Sequence, residues 1–120
     1  MKYSLACFLT VAVLMGGAVR ADSFFVIVAG LGGEPEYEQR FTGWAKDLDK
    51  IARAEPNTKV STLSGPDATK VNLEAKLRSI ATESKATDSL VLMLIGHGSY
   101  DDANYKFNIP GPDILSLIHI

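Results

Sequence analysis

Leu90-Val91-Leu92-Met93-Leu94-Ile95 runs without a polar break into Gly96-His97-Gly98-Ser99. The run is short, and it is bounded by Asp88-Ser89 on one side and glycine on the other. Those features predict a strand buried on both faces of a parallel sheet. Open α/β folds place their ligands at the carboxyl edge of such strands. A histidine set there between two glycines can face a reacting atom, because glycine lets the backbone approach closely.

Phe24-Phe25-Val26-Ile27-Val28-Ala29 is a second continuous apolar run, read as the first strand and buried on both faces. Gly30-Leu31-Gly32-Gly33 turns the chain at its carboxyl end. Tyr37, Phe41, Trp44, Ala45, Leu48, Ile51 and Ala52 then recur at helical spacing as one apolar stripe. Pro35 suits the first turn, and Glu34, Glu36 and Glu38 suit its dipole. Glu55-Pro56-Asn57 ends the helix. Val60 to Leu63 is a more polar strand, expected near an edge, and Ser64-Gly65-Pro66-Asp67 is a turn. A second helix spans about Lys70 to Ser84, capped by Thr69, with Leu73, Leu77, Ile80 and Ala81 as its apolar stripe. The order β-α-β-α-β with short links predicts an α/β fold of three layers around a mostly parallel sheet. Beyond His97, Ser99 to Asn104 reads as a polar loop. Tyr105 to Ile109 reads as a half-exposed strand and Pro110 to Asp113 as a turn, together a small hairpin at the sheet's carboxyl edge.

The chain has 120 residues and a net charge of −2, enough for one modest domain. It carries no basic block, which argues against a nucleic-acid partner. Lys2, the apolar Leu5 to Met15 and the small residues Gly16, Gly17, Ala18 and Ala21 read as a secretory signal peptide over 1–21. The apolar run falls short of the roughly twenty residues of a membrane span, so no stable anchor is expected after cleavage. Val19-Arg20-Ala21 is the expected cleavage site, leaving Asp22 as the new terminus of an exported protein, periplasmic or extracellular. Cleavage removes Lys2, Arg20 and the single cysteine, Cys7, leaving ten basic against fourteen acidic side chains and a net charge of −4. The domain is expected over 22–114. Leu115 to Ile120 matches one reading frame of a common sequencing transposase adapter and is expected to be a non-native tail, so His119 carries no functional weight.

The remaining motifs point less sharply. Gly30-Leu31-Gly32-Gly33 follows a strand and precedes a helix, but it lacks the G-x-G-x-x-G spacing, and Glu34, Glu36 and Glu38 would repel a phosphate. Asp101 and Asp102 have no third acid at metal-ligand spacing and read as a solvated turn. Ser99 does not sit in a G-x-S-x-G elbow. His97 stands out, since histidine as a residue type exchanges protons near neutral pH. Its structural alternative is a ring satisfied by a carbonyl at a strand end.

Asp88-Ser89, the apolar run and Gly96-His97-Gly98 resemble the histidine block of caspase-like cysteine peptidases, a group that includes caspases, metacaspases, legumains and gingipains. The order of elements resembles that group across the domain, and the residue-level likeness is confined to the surroundings of His97. The resemblance implies a caspase-like topology and peptide-bond hydrolysis, with a peptide or protein substrate and no cofactor or metal. It implies His97 as the proton-transfer residue and Gly98 as a backbone donor to the oxyanion. It also implies a nucleophilic cysteine at the end of a further strand. Cys7 does not match it, so that strand is expected beyond residue 120, and this chain alone is expected to be inactive. Two other readings stay open. One is a non-catalytic binding module on the same scaffold. The other is a metal chelatase, because Gly96 to Asn104 also resembles the His-Gly-Ser block of sirohydrochlorin-type chelatases, with His97 at the metal. An α/β-hydrolase oxyanion loop is a weaker likeness, with no nucleophile elbow to accompany it.

Overall fold

The structure is a computed structural model and describes residues 20–115. Most of the leader segment and residues 116–120 of the tail lie outside the described residues. The chain orders as β1 (Ser23–Ala29), α1 (Pro35–Ala54), β2 (Thr58–Leu63), a single 3-10 turn (Gly65–Asp67), α2 (Lys70–Glu83) and β3 (Ser89–Ile95). Three short strands follow, β4 (Gly98–Tyr100), β5 (Tyr105–Phe107) and β6 (Ile114–Leu115). The first sheet is parallel in the order β2-β1-β3, and the second is an antiparallel meander in the order β4-β5-β6.

The strands of the first sheet lie in matched register, Val26 opposite Ser61 on one side and opposite Leu92 on the other. Successive side chains of β1 leave by opposite faces. Phe24, Val26 and Val28 enter a core with Leu73 and Ile80 of α2, whereas Ile27 and Ala29 enter another with Phe41 and Ala45 of α1. The helices therefore occupy opposite faces, and the domain is α/β in three layers.

Local chemistry sets the boundaries. Pro35 occupies the first turn of α1, with Glu36 and Glu38 near its positive end. Asn57 takes a positive φ of 58° after the helix, and its carbonyl receives the Ser23 N–H at the start of β1. The Thr69 hydroxyl accepts the Asn72 N–H at 3.2 Å and caps α2.

Four expectations are corrected. First, β3 is not buried on both faces. It is an edge strand among the described residues, and Leu90, Leu92 and Leu94 are 50%, 42% and 42% exposed. They share the face of Phe24, Val26 and Val28, but α2 covers only the β1 residues fully. Second, the α1 stripe is only partly buried. Phe41, Ala45 and Ala52 are inside, while Tyr37, Trp44 and Ile51 are exposed. At 100° per residue Trp44 and Ile51 fall roughly 80–100° to one side of the buried line, and Trp44 lies beside Ile95 at the end of β3. Third, Ala81 of the α2 stripe is exposed. Fourth, Ser99 and Tyr100 are not loop but strand β4, paired with Lys106 and Tyr105 of β5. Beside this meander Ile109 is only 1% exposed, in the core on the α2 side of the sheet.

Candidate functional site

Two strand ends and one hairpin build the carboxyl rim. β1 ends in Gly30 and β3 in Gly96, and the Gly30 N–H donates to the Ile95 carbonyl at 2.8 Å. The meander wedges in beside them. A Cβ on Gly30 would come within 2.6 Å of the Asn108 carbonyl oxygen and 2.9 Å of the Phe107 ring. A Cβ on Gly96 would come within 2.9 Å of the same ring. Both approaches are closer than real Cβ contacts, so the rim requires glycine at these two positions. Asn108 ties the two ends together with its backbone. Its N–H donates to the His97 carbonyl at 3.0 Å, and its carbonyl accepts the Leu31 N–H at 2.9 Å.

His97 sits on this rim with its residue exposed. Its ring stands edge-on to Tyr37, with centroids 4.9 Å apart at 73°, and edge-on to Phe41, at 5.0 Å and 70°. Both partners come from the first two turns of α1. Two aromatic faces thus restrict the imidazole while leaving it open to solvent. The Arg40 guanidinium lies 5.6 Å from the Tyr37 centroid and pairs with Glu36.

Gly98 begins β4 opposite Phe107. Because the Asn108 N–H bonds to the His97 carbonyl directly across the ladder, the next pair, Gly98–Phe107, is a non-hydrogen-bonded one. The Gly98 N–H therefore leaves the outer side of β4, an edge strand of its sheet. His97 and Gly98 are adjacent on the same rim, as the sequence places them.

The Gly30 to Gly33 loop is a structural turn. The Gly32 N–H donates to Glu38 Oε2 at 2.7 Å, which fixes the loop to the first turns of α1 and puts a carboxylate where a phosphate would need to sit. Asp101 is committed within its own turn. Its carboxylate accepts the Asn104 N–H at 2.9 Å and pairs with the Lys106 ammonium at 2.6 Å. Lys106 first, and the backbone N–H groups next, hold its pKa down to about 2. The Ser99 hydroxyl lies 3.1 Å from Asn108 Oδ1, a contact that joins β4 to the residue tying the rim.

Three participants carry no site signal in the sequence: the aromatic flank of Tyr37 and Phe41, the wedge of Phe107, and the tie at Asn108. Tyr37 and Phe41 are visible in the sequence as part of a helical stripe, but their meeting with His97 depends on how α1 packs. Beside them Trp44, Asp47, Leu48 and Ile95 line a shallow recess of about 330 Å³. Trp44 and Phe41 have centroids 6.0 Å apart, so the recess lies one ring away from the histidine.

No family model matches the chain, and no curated protein or solved structure is similar to it at the level that would mark a relative.

Proposed function

We propose that this chain is the histidine-bearing part of an exported, caspase-like cysteine-peptidase domain. In this reading His97 moves protons and the Gly98 N–H stabilises the oxyanion. The observation that supports it most is the setting of His97, an exposed imidazole at the carboxyl rim of a parallel sheet, confined by Tyr37 and Phe41. The Gly98 N–H next to it leaves the β4–β5 ladder on its outer side, which supports a donor role towards an oxyanion.

The nucleophile of this proposal is a cysteine thiolate from a strand outside these 120 residues. His97 accepts the thiol proton as the sulfur attacks the scissile carbonyl. It then gives that proton to the departing amine, and later takes one from the water that releases the acyl group. The substrate is an extended peptide laid along the rim.

The test uses the complete gene product and a fluorogenic peptide panel. His97→Ala is expected to lower turnover by about 10²-fold or more, the scale of a lost general acid–base. Its melting temperature should fall only slightly, because the residue is exposed and its ring meets only Tyr37 and Phe41 among the described aromatic rings. Equal turnover in the variant overturns the proposal. If instead cobalt or nickel binds and His97→Ala abolishes binding, the chelatase reading replaces it. A complete gene with no cysteine after a further apolar strand leaves the binding-module reading.

A further inference from the structure

The opposite, amino-side rim holds a cluster of charges centred on Asp22. The Asp22 N–H donates to Asp88 Oδ1 at 2.8 Å, and the Asp22 carbonyl accepts the Ser89 N–H at 3.0 Å. The next residue, Ser23, donates to Asn57 at 2.8 Å. Among the described residues Asp22 is thus the first one stitched into the sheet, whereas Arg20 and Ala21 are exposed. Lys59 of β2 reaches Asp22 Oδ2 at 3.5 Å and also pairs with Glu83 at the end of α2. The Asp88 carboxylate also receives the Lys85 N–H at 2.7 Å. The cluster therefore sets three carboxylates, Asp22, Glu83 and Asp88, against the Lys59 ammonium, while Lys85 contributes its backbone N–H.

We infer that cleavage of the Ala21–Asp22 bond creates a terminal ammonium at Asp22 that pairs with Asp88, so that removal of the leader locks β1 to the start of β3. Water adds across the amide. Its oxygen ends in the Ala21 carboxylate, and the Asp22 nitrogen takes up both protons to become an ammonium. That charge arises 2.8 Å from a carboxylate already oriented towards the nitrogen, and it reduces the cluster's excess of negative charge. The Asp88 carboxyl is already held below its usual range by the Lys85 and Asp22 N–H groups, so it is ionised to receive the new cation. This inference rests on the leader reading and is independent of His97.

The experiment expresses the full chain with export and measures the intact mass of the product. A terminus at Asp22 is expected. Cyanate labelling of that α-amine, followed by mass against pH, should be several-fold slower at pH 7 in the wild type than in Asp88→Asn. The Asp88 carboxylate holds the amine protonated and unreactive. A second variant inserts one glycine between Ala21 and Asp22, keeping Asp88 while moving the amine away, and it should label as fast as Asp88→Asn. A terminus at another residue, an unprocessed chain, or one common labelling rate for all three proteins overturns the inference.

Discussion

Phe107 lies beneath Gly96 so closely that a Cβ on the glycine would sit 2.9 Å from the ring. The same ring blocks a Cβ on Gly30. The hairpin side chain thus sets the spacing of the two strand ends that carry the rim. Gly96→Ala is expected to cost about 1–3 kcal/mol, the scale of overpacking. Truncating the ring should relieve that clash, so Gly96→Ala with Phe107→Ala should cost less than the two single losses together. Urea denaturation of the four proteins measures it, and strict additivity would refute the wedge.

The exposed leucines of β3 should govern self-association. Leu90, Leu92 and Leu94 form an apolar ladder on an edge strand that carries no charge and no proline to blunt it. Leu92→Lys and Leu94→Lys are expected to shift the protein towards monomer in sedimentation velocity, with stability changed by less than about 1 kcal/mol. Val26→Lys, one strand inward on the same face and wholly buried, should prevent folding. Unaltered association in both leucine variants would show that the ladder is not the adhesive surface.

Asp101 should make the meander sensitive to acid. A carboxyl with its pKa depressed to about 2 stabilises the folded form once pH exceeds the ordinary aspartate value of about 3.9. That contribution fades as pH falls from about 4 towards 2. The group is exposed, so the effect is small and weakened by salt. Tyr100 and Tyr105 stack across the hairpin with centroids 4.6 Å apart, which makes near-ultraviolet circular dichroism the readout. Asp101→Asn should flatten the signal's pH dependence in that window. An undiminished slope would assign the acid response elsewhere.

Thr69→Ala removes the hydroxyl that caps α2 and should cost about 1 kcal/mol, whereas Thr69→Ser should cost little. Thermal melts of the two variants decide whether this cap or the packing of Leu73 and Ile80 fixes the helix start.

The parallel strands and both helices were legible because each carries its own period or an unbroken apolar run. The place of β3 was not. Phe24 to Ala29 and Leu90 to Ile95 are nearly interchangeable as text, yet one is central and the other lies at an edge. Burial depends on what flanks a strand, and composition does not contain that. Ser99 and Tyr100 escaped for a related reason, since three residues hold no period and become a strand only because β5 lies beside them. The position of His97 on the rim followed from its place directly after β3. Its aromatic neighbours did not, because Tyr37 and Phe41 stand some sixty residues earlier and reach it only through the packing of α1.

The double backbone tie at Asn108 has a mechanical consequence. Since one residue grips both Leu31 and His97, it splints the two tips of the rim to each other. An opening that displaces Asn108 releases the histidine loop and the turn after β1 together, so the amides of Leu31 and Asn108 should lose their shelter from deuterium in the same event.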